Sequence, residues 1–237
     1  MTTRFHPWMP LAVLPLLLVQ GLEASVLIDD FSLASGVINS AGAPNPVSTT
    51  QTISLLGGSA TRTFSLGAFS GLSQGQIING DLGFVSDPAA GAQASLAYEN
   101  FTADLSSTPF LRLDFTSINF TGAMEVALLS TSSPHTLAKA VNSLPSGGPT
   151  SLFLDVRGFS GYQDGFLNGI TDVLLDFAGN DGPFFGVRLS KISFTQESEF
   201  LAAIPEPGAT ACIAGGLLAG LAMVHRARTR TPGTTRD

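Results

Sequence analysis

Phe110-Leu111-Arg112-Leu113-Asp114-Phe115 is the stretch that decides the fold class. Apolar and charged residues alternate there with a period of two, the pattern of a strand with one face buried and one wet. Leu111, Leu113 and Phe115 are expected to face a core, and Arg112 and Asp114 to face water. Val187-Arg188-Leu189-Ser190-Lys191-Ile192-Ser193-Phe194 repeats the pattern with a phase slip near Ser190, which reads as a β-bulge.

Working outward, β-prone runs recur at 26–31, 60–68, 76–85, 94–103, 110–120, 124–130, 151–156, 170–177 and 185–194. Gly179-Asn180-Asp181-Gly182-Pro183 is a strong turn between the last two runs, and the Pro-containing stretches 43–47 and 143–150 read as loops. Helical periodicity is not sustained anywhere in the middle of the chain. About nine or ten strands at this spacing predict an all-β fold, an antiparallel β-sandwich of the jelly-roll kind, as one domain over residues 25–203.

Composition narrows the function classes. Only 12% of the 237 residues are charged, while Gly, Ser and Thr are abundant, a balance of secreted β proteins rather than cytosolic enzymes. Residues 25–204 carry six cations against fifteen acids, a net −9. Nucleic-acid binding is therefore not expected, since Lys and Arg on phosphates supply most of that affinity. The single cysteine, Cys212, leaves no intrachain disulfide, so the core must hold the domain.

Both ends read as addresses. Arg4, the apolar stretch 11–19, and the small residues Gly21, Ala24 and Ser25 form a secretory signal peptide over 1–24, with cleavage after Ala24 or at Gly21. At the other end, Ile204-Pro205-Glu206-Pro207 leads into an apolar stretch over 208–224, long enough for a short membrane-spanning helix. Arg226, Arg228 and Arg230 follow, a basic end that the positive-inside rule keeps in the cytoplasm, and residues 231–237 form a disordered tail.

This order of motif, helix and basic end over 204–230 resembles the PEP-CTERM sorting region of exported proteins of Gram-negative bacteria. Pro205, Glu206 and Pro207 match the motif, and Arg226, Arg228 and Arg230 the basic end. The resemblance implies recognition by an exosortase-type membrane peptidase, an inner-membrane intermediate, and delivery to the cell surface or an exopolysaccharide-rich biofilm matrix. The rhythm of 151–159, 170–177 and 185–194, with the opening Val26-Leu27-Ile28-Asp29-Asp30-Phe31, resembles galactose-binding-like jelly rolls. That second resemblance implies a structural calcium ion near the chain ends, with Asp29 and Asp30 as candidate ligands; ordinary turn and edge aspartates are the alternative.

Catalytic constellations are sparse. His135, in Ser132-Ser133-Pro134-His135, is the one histidine of the domain and reads as an exposed loop residue. Zinc hydrolysis and thiol catalysis lack their residues. Glu99, Glu125 and the aspartates leave a glycoside hydrolase or lyase as a distant alternative, with no pair singled out by spacing. Trp8 lies in the signal peptide, so aromatic sugar platforms come down to tyrosines. Tyr162 in Gly161-Tyr162-Gln163-Asp164-Gly165 is the platform candidate, with Asp164 beside it. The sequence thus reads as an exported, non-enzymatic surface or matrix protein, with a carbohydrate-binding module for exopolysaccharide as the alternative.

Overall fold

The computed structural model describes residues 25–41, 46–68, 72–78, 80–86, 92–119, 122–141, 144, 146–179 and 185–203. The strands are β1 (Val26–Asp29), β2 (Ile38–Ala41), β3 (Val47–Leu55), β4 (Gly58–Ala68), β5 (Leu72–Ile78), β6 (Asp81–Ser86), β7 (Ala92–Glu99), β8 (Phe110–Asn119), β9 (Gly122–Ser130), β10 (Ser133–Val141), β11 (Thr150–Asp155), β12 (Ile170–Gly179) and β13 (Phe185–Thr195). A short helix, α1 (Glu197–Ala203), follows the last strand.

Alternation in β8 falls as the sequence predicts: Leu111, Leu113 and Phe115 are buried, and Arg112 and Asp114 are half-buried on the other face. The expected bulge is present too, because the β13–β8 register shifts between Arg188 and Lys191. All strand pairs are antiparallel. One sheet has the order β10-β9-β12-β7-β4-β3; the other runs β11-β8-β13-β6-β5-β2, with β1 also paired to β13. Along one edge β13 meets β6 at Phe185–Leu189 and then β1 at Ile192–Phe194, so a single long strand organises both neighbours.

The sheets pack face to face over one apolar core that extends in sequence from Ile28 to Phe194. Phe84 of one sheet meets Phe177 of the other with ring centroids 5.2 Å apart. Burying each such side chain contributes about 1.5–3 kcal/mol. Among the described residues, both sheets and this core are built from residues between 25 and 203.

Four expectations need correction. The run 76–85 is two strands, folded back on itself beside Gly80, whose φ of +79° a side chain would resist. Val47 opens strand β3 rather than ending a loop. Its hairpin to β4 turns through Leu56 and Gly57, both at positive φ, the two-residue type I′ geometry that matches strand twist. His135 lies in edge strand β10, not in a loop, and is exposed. Finally, α1 has no counterpart in the sequence reading. It is held by Phe200, whose ring stacks on Phe110 at 4.7 Å, and by Glu199 beside Arg112 at 3.6 Å.

Among the described residues no helix is long and apolar enough to cross a membrane. The signal peptide (1–24), the sorting motif, the apolar stretch, the arginine end, the tail and most of the 179–183 turn lie outside the described residues.

Candidate functional site

The outer face of the β5-β6-β13-β8 sheet carries a groove of about 400 Å³. Its floor follows from two glycines on the central strands. Gly83 of β6 stands opposite Arg188 of β13, and Gly186 of β13 stands between Val85 and Asn119. A strand face without side chains at these points drops below its surroundings. Longer residues then form the walls: Gln74 and Gln76 on β5, Asn119 and Ser117 on β8, and Arg188. Gly83 and Gln76 are direct cross-strand neighbours, as are Val85 and Gln74.

The charges in the groove cancel. Arg188 Nη2 donates to Asp81 Oδ2 at 2.8 Å, and Thr116 Oγ1 donates to the other oxygen at 2.9 Å. Gln74 Nε2 donates to Asn39 Oδ1 at 3.0 Å, which leaves its carbonyl oxygen for another partner. Val85 and Ile78, 39% and 43% exposed, give the groove apolar patches. Among the described residues the lining is thus amide-rich, neutral in charge and partly apolar, with donors and acceptors side by side.

No family model matches the chain, and no curated protein matches it. Its likeness is to solved structures. A family 11 carbohydrate-binding module from Clostridium thermocellum, in complex with a β-1,3-1,4-mixed-linked tetrasaccharide, is 13% identical with a TM-score of 0.40, over 73% of this chain and 95% of that one. An agarase is 14% identical with a TM-score of 0.41, over 68% of this chain and 30% of that one. A carbohydrate-binding module specific for non-crystalline cellulose is 13% identical with a TM-score of 0.30, over 44% of this chain and 65% of that one.

The sequence-predicted residues lie apart from the groove. Tyr162 is half-buried and packs against the core in the segment between β11 and β12, where Ser160 bridges to Ala138 of β10. Asp164 is exposed in the same loop. Neither lines the groove. Tyr98 is fully buried and offers no face for stacking. Glu125 stands exposed on the outer face of the other sheet, opposite Asp176 of β12, and Glu99 is opposite Thr61.

Asp29 belongs to a buried polar network. Its Oδ2 accepts from Arg62 Nη1 at 2.7 Å and from the Tyr98 hydroxyl at 2.8 Å, and its Oδ1 accepts from the Phe31 N–H at 2.7 Å. Arg62 completes its bonds on the Leu33 carbonyl and on Gln51. Burial above all, and then the Asp29 charge, hold the Tyr98 hydroxyl neutral well beyond its ordinary pKa near 10. Asp30 is exposed, and hydrogen bonding from the Ser32 side chain, and then from the Ser32 N–H, lowers its pKa. This donor set does not fit a calcium ion: the Asp29 oxygens are engaged, and a guanidinium already supplies the positive charge. Among the described residues no group of three or more His, Cys, Asp or Glu side chains could hold a metal.

Alternation alone could not reveal the groove. Its signal in the sequence is the placement of Gly83 and Gly186 on the outward phase of their strands, between Gln76 and Asn119.

Proposed function

We propose that this protein is a non-enzymatic, exported carbohydrate-binding sandwich, displayed at the cell surface or in its matrix, whose outer-sheet groove takes a neutral, hydroxyl-rich polysaccharide. The observation that carries the reading is the groove itself, with Gln74, Gln76, Asn119 and the paired Asp81 and Arg188 around a glycine floor. Sugar hydroxyls both donate and accept, and side-chain amides answer both roles without adding charge. A polyanion would gain little here, because Asp81 offsets Arg188. The apolar patches at Val85 and Ile78 fit the C–H faces of sugar rings. Among the described residues no exposed aromatic lines the groove, so their contribution to affinity rests on hydrogen bonds and is expected to be modest.

A non-catalytic role fits the same residues. Among the described residues Asp81 is the one carboxylate that lines the groove, whereas glycoside cleavage uses two, about 5–10 Å apart. Export, exosortase processing at Pro205–Pro207 and surface delivery rest on the terminal sequence signals; blocking export, or replacing Pro205 and Glu206 by alanine, should change the mass and location of the protein.

The test is calorimetric titration of residues 25–203 with neutral oligosaccharides, comparing the native protein with Gln76→Ala and Arg188→Ala. Each lost hydrogen bond costs about 0.5–1.5 kcal/mol, so a two- to tenfold weakening is expected per substitution. Binding indifferent to both changes would remove the groove from the account.

A further inference from the structure

Among the described residues β10 and β3 end one sheet, β11 and β2 end the other, and the four-residue β1 lies off that row with β13 as its partner. An open edge is a template for another strand unless something discourages it. β2 is only four residues long. β10 contains Pro134 and Lys139, its register on β9 slips between Ser133 and Leu137, and Ser160 bridges Ala138. β11 is short, ends at Asp155 beside Arg157, and has Phe200 of α1 packed on Phe153. β3 has none of these features. It spans nine residues, Val47-Ser48-Thr49-Thr50-Gln51-Thr52-Ile53-Ser54-Leu55, uncharged, free of proline and paired without a slip to β4.

The two-residue turn fixes which groups face outward. Leu55 and Gly58 flank it and form a hydrogen-bonded pair, so alternate residues back to Val47 bond to β4. Ser48, Thr50, Thr52 and Ser54 therefore turn their N–H and C=O groups to the open edge. Among the described residues no backbone group outside the hairpin bonds to them.

We infer that β3 pairs antiparallel with β3 of a second copy of this chain, about a two-fold axis through Gln51. Such an interface must be self-complementary, and β3 is nearly a palindrome about that residue. Thr50 lies opposite Thr52, Ser48 opposite Ser54, Thr49 opposite Ile53, and Val47 opposite Leu55. This register sets the four outward-turned residues against one another as hydrogen-bonded pairs, and every open backbone group finds a partner. It also brings the exposed Val47 of the second copy to the rim of the cleft lined by Leu27, Leu33 and Leu56. The groove lies on the other sheet and stays open, so this pairing is independent of glycan binding.

Sedimentation velocity on residues 25–203 over a rising concentration series tests the pairing. A monomer–dimer equilibrium is expected, strengthened by salt because two bodies of charge −9 meet at an uncharged strand. The double variant T50K/T52K sets lysine against lysine and should be monomeric, as should T50E/T52E alone, while an equimolar mixture forms a heterodimer. Thr50→Pro removes an outward N–H without touching the β4 ladder, and should also leave a monomer of unchanged melting temperature. A native protein that stays monomeric throughout, a dimer that survives T50K/T52K and Thr50→Pro, or a charge-swapped mixture that fails to associate would each overturn the inference.

Discussion

Arg62 and Asp29 form an ion pair at 2.7 Å in which the side chains are only 1% and 6% exposed. The pair ties β4 of one sheet to β1 of the other, and Tyr98 of β7 adds its hydroxyl to the same carboxylate. Removing one member strands a buried charge. Asp29→Ala is therefore expected to cost about 3–5 kcal/mol by urea denaturation, whereas the double variant Asp29→Leu with Arg62→Met recovers much of that loss.

Alkaline pH provides a second check on this network. Below its ordinary pKa near 10, Tyr98 is neutral in the folded and unfolded chain alike. Above it, the unfolded chain releases the proton while the buried hydroxyl keeps it, so stability falls as pH rises from about 10. Tyr98→Phe should lower stability at neutral pH through the lost hydrogen bond to Asp29, and should flatten the alkaline decline. Melting temperatures from pH 8 to 11 compare the two proteins.

Gly75 is required by packing. A Cβ there would stand 2.5 Å from Cε1 of Phe64, a buried ring in the facing sheet. Gly75→Ala is expected to cost about 1–3 kcal/mol through overpacking. Gly148→Ala, with nothing within 4 Å, should leave the urea midpoint almost unchanged.

Much of the sandwich was legible because burial writes itself into alternation. β8 and β13 put large apolar residues on one phase, and even the bulge near Ser190 showed as a slip. β3 was hard to see because its outward phase is all Ser and Thr, and its inward phase, Val47, Thr49, Gln51, Ile53 and Leu55, is interrupted by two polar residues. β10 hid behind Pro134, which an edge strand tolerates. The Asp29–Arg62 pair joins residues 33 apart in sequence, and the groove draws on four strands; neither has a local signature. Tyr162 was singled out because platforms came down to tyrosines; in the fold it is half-buried and packs against the core.

α1 is an appended element held mainly by one ring. Phe200 stacks on Phe110 and leans on Phe153 at 5.8 Å. Phe200→Ala should free residues 197–203 while the sandwich persists. Hydrogen exchange should therefore quicken in α1 and not in β8, a local opening in a cooperative fold.

The groove is tested most directly by filling it. A side chain at Gly83 would project onto the floor, where a Cβ meets only Arg188 Cγ, at 3.9 Å. Affinity electrophoresis of residues 25–203 and of Gly83→Phe through gels containing neutral polysaccharides gives the comparison. At least one polysaccharide should retard the native protein, and Gly83→Phe, equally stable, should run unretarded. Retardation that Gly83→Phe leaves intact, or a folded native protein that no polysaccharide slows, would contradict sugar binding in the groove.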